Sequence, residues 1–168
     1  LDMIAKTAEV GRELSYAGFG IVFGGGRLGL MGAVAKAAIE ANGSVIGIIP
    51  KGLTSREPIQ QQLTELHVVD DIIERKRMMM ERSDAFLILP GGFGTLDELF
   101  ETLTLIQTKK AVQVPVILYD KAFWQKLVNF DMLVEEGLIS AEDIALIQYA
   151  DTPEQAWQLI ADFYQLSR

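Results

Sequence analysis

The sequence contains no cysteine and a single histidine, His67. Without cysteine, thiolate catalysis and cysteine-ligated metal sites are excluded, and one histidine excludes a zinc site built from several. The lack of cysteine also fits a reducing compartment. No apolar run reaches the roughly 18–20 residues of a membrane-spanning helix, and no signal peptide is recognisable. We therefore predict a soluble, cytoplasmic protein with no bound metal and no membrane partner.

Basic residues are in the minority. The chain has 15 lysines and arginines against 23 acidic residues, a formal net charge of −8. Such a chain is expected to repel nucleic acid, so no nucleic-acid partner is predicted. Several cations nevertheless follow predicted strands or begin predicted helices: Arg27, Lys51, Arg56, Arg75, Lys76 and Arg77. Because helix N-termini disfavour cations, this placement indicates an anionic ligand; the alternative is ordinary solvated charge.

Short apolar segments alternate with longer segments of helical periodicity. The predicted strands cover residues 20–23, 45–49, 66–69, 85–89, 114–119 and 144–149. This alternation predicts an α/β fold with a parallel sheet covered by helices on both faces, and 168 residues suit a single domain over residues 1–168. One helix is predicted over residues 123–135. The sequence opens directly on a helical pattern, so we expect a further strand and its loop ahead of it.

The first glycine loop, residues 24–29, reads G-G-G-R-L-G between a predicted strand and a predicted helix. Glycines at such a junction let the backbone approach a phosphate, which the helix N-terminus then favours. Dinucleotide binding also needs an acidic residue at the end of the next strand, but that strand ends in Pro50 and Lys51. A phosphate or phosphoribosyl site is therefore favoured over NAD or FAD, and no cofactor is predicted. A tight turn that simply requires glycine is the structural alternative.

The second glycine loop, residues 90–95, reads P-G-G-F-G-T and is followed by L-D-E. Thr95 and Glu98 fit a T-x-x-E capping box, which would explain both residues structurally. Three glycines in four positions go beyond what a cap needs, and they leave backbone N–H groups free to meet an anion. Glu98 would then stand one helical turn from the bound phosphate, with its carboxylate near the sugar.

Residues 90–98 match the P-G-G-x-G-T-x-x-E signature of the LOG ("lonely guy") family, the cytokinin riboside 5′-monophosphate phosphoribohydrolases, often labelled "possible lysine decarboxylase". Residues 24–32 resemble the G-G-G-x-x-G-L-M-G segment of that family, and V-I-G-I-I-P at 45–50 and E-R-K at 74–76 follow in family order. The resemblance covers nearly the whole chain. It implies a Rossmann-like, doubly wound fold and a homodimer that releases free base and ribose 5-phosphate from a nucleoside 5′-monophosphate.

The resemblance also implies roles for individual residues. Arg75 and Glu98 match the catalytic pair. The positions that match substrate-binding residues are Gly24, Gly25, Gly26, Glu57, Lys76, Gly91, Gly92, Phe93, Gly94, Thr95, Leu96, Asp97 and Thr104. N-glycoside cleavage passes through an oxocarbenium-like sugar, which a nearby carboxylate stabilises or supplies with activated water. AMP and N6-substituted cytokinin nucleotides both stay open as substrates, and a non-catalytic nucleotide sensor on the same scaffold is the alternative function.

The remaining notable residues have structural interpretations. The three methionines at 78–80 are predicted to pack in the core or a dimer interface, since a thioether is a poor ligand for hard metal ions. His67 is predicted to be a satisfied strand residue, and Trp124 and Trp157 to be core residues. Decarboxylation would need a lysine that forms a pyridoxal-phosphate Schiff base, and no lysine has a sequence context that singles it out.

Overall fold

Parallel strands joined by helices organise both halves of the chain. The structure is a computed structural model that describes residues 2–26, 29–54, 56 and 58–166. It divides into two units, residues 1–83 and residues 84–168. Each unit contains three parallel strands among its described residues, which confirms the predicted alternation of strands and helices. The single domain over residues 1–168 stays a prediction.

The first unit contains three helices, three strands and one short 3₁₀ turn among its described residues. In chain order these are α1 (Asp2–Tyr16), β1 (Ile21–Phe23), α2 (Gly29–Glu40), β2 (Val45–Pro50), the 3₁₀ turn (Lys51–Leu53), β3 (Glu65–Val69) and α3 (Ile72–Glu81). The strands lie in the order β1-β2-β3, with Phe23 opposite Gly47 and Pro50 opposite Val69. The carboxyl ends of β2 and β3 therefore finish level with each other, while β1 ends three residues earlier.

The core of the first unit lies between its sheet and α2. Phe23, Val45, Ala35 and Ala38 form a buried cluster. Alanines on α2 let the helix sit close to the strands, and α1 packs against α2 just as closely. A Cβ on Gly11 would lie 2.2 Å from the carbonyl oxygen of Val34, so only glycine fits at this crossing.

The second unit contains three strands and five helices among its described residues. In chain order these are β4 (Phe86–Ile88), α4 (Phe93–Gln107), β5 (Val116–Tyr119), α5 (Lys121–Leu127), α6 (Phe130–Glu135), α7 (Ala141–Ile144), β6 (Ile147–Ala150) and α8 (Pro153–Tyr164). The strands lie in the order β4-β5-β6, and β5 is buried along its whole length. This continuous burial is typical of a central parallel strand.

One predicted helix of the second unit is two helices. The segment predicted as one helix over residues 123–135 forms α5 and α6, separated at Val128 and Asn129. Val128 is extended, and the Asn129 side chain accepts a hydrogen bond from the N–H of Met132, which starts α6. Asparagine is a strong N-cap residue, so it starts a new helix inside an apolar pattern that would otherwise continue.

The tryptophan predictions differ in outcome. Trp124 is fully buried in the core of the second unit, and its Nε1 donates to the carbonyl of Tyr119 at 3.0 Å, which confirms the prediction. Trp157 is only half-buried on α8. The start of α8 is as expected: Thr152 caps it and Pro153 occupies its first turn. Within the part of the chain that the structure describes, no helix has the length and apolarity to cross a membrane.

Candidate active site

The first glycine loop is tightly supported by its own unit. Gly25 has a φ of +85°, a conformation that favours glycine. Its carbonyl accepts a hydrogen bond of 2.8 Å from the N–H of Gln60, and Gly26 forms an isolated antiparallel bridge with Ile59. A Cβ on Gly47 would lie 3.0 Å from the Cα of Gly25. The loop therefore packs directly on β2 and on the segment before β3.

Arg75 lies against this loop. A Cβ built on Gly24 would stand 1.7 Å from Nη2 of Arg75 and 2.9 Å from its Cζ, so the guanidinium occupies the space that any other residue at position 24 would fill. Glycine is required here for the close approach. The structure thus brings together Gly24 and Arg75, two residues that are separated in the sequence by more than half of the length of the unit.

The guanidinium of Arg75 has an unsatisfied donor. Arg75 is half-buried, and its Nε is buried without a hydrogen-bond partner among the described residues. A buried polar donor left unpaired costs about 1–3 kcal/mol, and more when the group is charged. Native structures keep few such groups, and an unpaired donor at this place is one that a bound water, ion or ligand can satisfy. Arg75 is therefore suited to an anionic or oxygen-rich ligand beside the first glycine loop.

The start of α3 fixes the helix that carries Arg75. The Asp71 side chain accepts from the N–H of Glu74 at 2.8 Å, and the Glu74 carboxylate reaches back to the N–H of Asp70 at 3.3 Å. Lys51, which follows β2, donates to Asp70 at 2.7 Å. The pKa of Lys51 is raised chiefly by this hydrogen bond, and the pKa of Asp70 is lowered by it. The ends of β2 and β3 are thereby tied to the first turn of α3.

Asp70, Asp71 and Glu74 were not identified as functional from the sequence, and Lys51, predicted among the cations that indicate an anionic ligand, is paired with Asp70. Asp71 and Glu74 show the D-x-x-E spacing of a capped helix start, which is a visible signal. The link from Lys51 to Asp70 joins the ends of two strands, and only the parallel register of β2 and β3 reveals it. Of the other predicted residues in this unit, Lys76 is half-buried on α3, while Arg27 and Glu57 lie outside the described residues.

The second glycine loop differs from the predicted capping box. Helix α4 begins at Phe93 with Gly92 as its N-cap, and no side chain caps it. The prediction that Thr95 caps the helix is wrong: Thr95 lies inside the first turn. A Cβ on Gly91 would meet its Oγ1 at 2.2 Å and its Cβ at 2.8 Å. Glycine is tolerated at an N-cap, so the helix starts before Thr95. The Thr95 side chain does not cap the helix but packs against Gly91.

The outer face of the second glycine loop is open. A Cβ on Gly92 or Gly94 would meet no heavy atom within 4 Å among the described residues. The first four N–H groups of a helix have no acceptor inside it, and the helix dipole favours an anion at this end. The loop therefore offers uncovered backbone donors at the carboxyl end of β4, where ligands bind in parallel α/β proteins.

The other predicted residues of the second unit lie along α4. Glu98 and Leu96 are half-buried, whereas Asp97 and Thr104 are exposed. Thr104 stands two turns after Asp97 on the same face, and its hydroxyl donates to the carbonyl of Phe100 at 2.7 Å. Helix α4 thus carries Glu98 one turn beyond the open N–H groups. Arg75 belongs to the first unit and Glu98 to the second.

His67 is paired with a residue of its own strand. Its Nε2 lies 2.8 Å from a carboxylate oxygen of Glu65 on the same strand, and Arg82 donates to that same oxygen. These partners lower the pKa of Glu65, with His67 the larger contributor. The prediction that His67 is a satisfied strand residue is confirmed. No group of three or more potential metal ligands occurs among the described residues.

Relatives of known name match most of the chain. A protein family described as "Possible lysine decarboxylase" matches residues 31–160. The cytokinin riboside 5′-monophosphate phosphoribohydrolase of Rhodococcoides fascians is 40% identical over 133 residues, which cover 78% of this chain and 67% of that protein. The phosphoribohydrolase LOG1 of Arabidopsis thaliana is 36% identical over 156 residues, covering 92% and 73%. The chain belongs to the LOG family. This confirms the resemblance carried by the two glycine loops.

The fold of this LOG-family chain also has a structural counterpart. The molybdenum cofactor binding protein of Rippkaea orientalis superimposes with a TM-score of 0.73 at 21% identity, over 96% of this chain and 87% of that one. At that identity the likeness concerns the fold alone, and it confirms the Rossmann-like α/β class. The decarboxylase description gains no support from Lys51, because a Schiff-base lysine needs a lowered pKa and that of Lys51 is raised.

Proposed function

We propose that this LOG-family chain hydrolyses the N-glycosidic bond of a purine-type nucleoside 5′-monophosphate, either AMP or a cytokinin riboside monophosphate. The observation that carries the proposal is the Arg75 guanidinium, which is held on Gly24 with an unsatisfied buried donor. The named phosphoribohydrolase relatives support the same reaction. The products are the free base and ribose 5-phosphate, and the reaction needs no cofactor.

The chemistry assigns different tasks to the two catalytic residues. The bond from C1′ to the base nitrogen breaks, an oxygen of water bonds to C1′, and a proton of that water leaves with the base. The Glu98 carboxylate stabilises the positive charge that develops on the sugar or activates the water. Arg75 holds the substrate in the orientation that the reaction requires. A planar guanidinium suits this task because it presents several donors in a fixed geometry.

The glycine loops and their neighbours bind the substrate in this proposal. Backbone N–H groups at the start of α4 bind the phosphate. The proposed substrate-binding residues are Gly24, Gly25, Gly26, Glu57, Lys76, Gly91, Gly92, Phe93, Gly94, Thr95, Leu96, Asp97 and Thr104. The uncovered surface of Gly92 and Gly94 supports this assignment, since it leaves room for a ligand against the backbone. The active form is proposed to be a cytoplasmic homodimer.

The test is direct incubation with AMP and with isopentenyladenosine monophosphate, followed by chromatography for free base and ribose 5-phosphate. Release of base by the wild-type protein is expected. Replacing Glu98 by Gln should lower turnover by about 10²-fold or more, because the carboxylate is lost while the shape is kept. Asp97→Asn is a matched control on the exposed neighbouring position, where a milder effect is expected.

The possible outcomes separate an enzyme from a sensor. If AMP raises the melting temperature but no base is released, the chain is a nucleotide-binding protein and the hydrolase proposal is wrong. If base is released equally by the folded Glu98→Gln variant, the reaction stands but Glu98 has no chemical role. Light scattering of the purified protein tests the homodimer independently of activity.

A further inference from the structure

Phe93 has an unusual environment for an aromatic residue. Its side chain is 92% exposed, the largest value for any large apolar residue among those the structure describes. The other phenylalanines are much less exposed: Phe23 and Phe130 are buried in the cores of their units, and none of the rest exceeds the 42% of Phe163. A phenylalanine this exposed contributes little to the core, and aromatic side chains commonly line ligand sites.

The position of Phe93 determines where its ring points. Phe93 is the first residue of α4, and side chains of an α-helix tilt toward its N-terminus. At the first position of α4 this tilt directs the side chain toward the open end of the helix, where the N–H groups without a helical acceptor lie. Gly92 and Gly94 on either side add no atoms that would cover it. A ligand bound at the N-terminus of α4 would therefore lie next to the ring.

We propose that the Phe93 ring stacks on the purine base of the nucleotide and so supplies affinity for the base rather than for the sugar phosphate. This inference rests on the proposed function for the identity of the ligand. The backbone of the second glycine loop binds the phosphate, which every ribose phosphate shares. An aromatic face adds an attraction that only a ligand carrying a planar base can use.

The stacking role predicts a selective loss of affinity. Replacing Phe93 by Ala should weaken AMP binding and raise KM about ten- to a hundredfold, the effect expected of one lost base–aromatic stack. Binding of ribose 5-phosphate, which has no base, should stay within about twofold of wild type. Phe93→Tyr keeps the aromatic face and should bind AMP nearly as wild type does. The control is Val112→Ala, another strongly exposed apolar residue of the same unit at 84%, and it should change neither affinity.

The experiment measures the Kd of AMP and of ribose 5-phosphate by calorimetry, KM and kcat for AMP, and the oligomeric state of each variant. Equal losses for both ligands would overturn the proposal, because Phe93 would then only shape the phosphate loop. Unchanged AMP affinity, or a wild-type protein that does not bind ribose 5-phosphate, would overturn it as well. A change of oligomeric state in Phe93→Ala would show that a second copy of the chain covers the ring instead.

The binding measurements keep this inference separate from the proposed reaction. If the wild-type protein binds AMP but releases no base, the hydrolase proposal fails while the Kd values still decide the role of Phe93. If base is released and the Kd of AMP is unaffected by Phe93→Ala, the reaction stands and the stacking role fails. If AMP does not bind at all, both fail.

Discussion

Position 24 and positions 92 and 94 show two different uses of glycine. In the first glycine loop, a Cβ on Gly24 would collide with the guanidinium of Arg75, so the missing side chain makes room for a residue of the same unit. In the second glycine loop, Gly92 and Gly94 face no described atom within 4 Å. The first loop uses glycine to bring a functional side chain close, and the second uses it to leave the backbone accessible from outside.

The largest effect is expected when Gly24 of the first glycine loop is replaced, because the added side chain takes the space of the guanidinium. Gly24→Ala should displace the guanidinium and lower kcat/KM by about 10²-fold, since a shift of about 1 Å in a positioning group can cost that much. The melting temperature should change little, because the colliding atoms are the far end of a flexible side chain.

Gly20→Ala is the matched control, since its added Cβ would make only ordinary contacts of 3.6 Å or more with Ser44. Steady-state kinetics and thermal denaturation of both variants give the comparison. In an Arg75→Ala background, Gly24→Ala should cause no further loss of activity. A folded Gly24→Ala protein with wild-type kinetics would mean that the contact with Arg75 has no function.

A stability effect of intermediate size is expected at Gly91, because a Cβ there, unlike one on Gly92 or Gly94, would collide with described atoms. Gly91→Ala should lower the free energy of unfolding by about 1–3 kcal/mol, because Thr95 is held in α4 and its Cβ cannot retreat. Urea denaturation measures this against Gly94→Ala, whose added methyl group meets no described atom and which should not lower the free energy of unfolding. Combining Gly91→Ala with Thr95→Ala should recover part of the loss; equal stability of the two single variants would refute the contact.

Gly94→Ala is expected to have opposite effects on stability and binding. Alanine in the first turn of α4 should raise the free energy of unfolding by up to about 1 kcal/mol, since no described atom opposes the new methyl group. The same methyl group would crowd the ligand side of the loop and raise KM for AMP several-fold. Denaturation and kinetics on one preparation test both. An unchanged KM would show that the open face of the second loop is not used by the substrate.

The smallest effect concerns the ion pair that ties β2 and β3 to α3. Because the folded pKa of Asp70 lies below its ordinary value of 3.8, its stabilising contribution is present above that pH and is lost as the pH falls through the folded pKa. Asp70→Asn should therefore lower the melting temperature slightly at pH 7, and the difference from wild type should shrink as the pH falls below about 3.8 and vanish once the pH is below the folded pKa of Asp70. Both groups are exposed, so added salt should reduce the difference too. A difference that keeps its full size however far the pH is lowered below 3.8 would exclude the charge as its cause.

Local patterns in the sequence predicted most of the strands and helices. The predicted strand at 45–49 is β2, at 45–50, and the predicted strand at 85–89 contains β4, at 86–88. These succeed because apolar periodicity and glycine or proline boundaries are local properties. The start of α4 and the break between α5 and α6 were misjudged. In both places a single residue, Gly92 or Asn129, sets the helix boundary, and a periodic pattern does not resolve a boundary to one residue.

The sequence predicted only part of the candidate site. The motifs identified the glycine loops, Arg75 and Glu98, and the family that they indicate is confirmed. The support of Arg75 by Asp70, Asp71, Glu74 and Lys51 was not found. Part of that network joins β2 to β3, which are separated along the chain and meet only in the sheet. The roles of the individual site residues stay predictions that the variants above test.

The sequence by itself determined most of the elements, the excluded chemistries and the two glycine motifs, because composition and short-range pattern suffice for these. The tertiary structure alone decided which glycine is packed and which is open. It placed the Arg75 side chain on Gly24 and the Thr95 side chain behind Gly91, while Gly92 and Gly94 stay uncovered among the described residues. The physical reason is that a glycine has the same side chain everywhere, so its use depends on the atoms that the fold brings to it.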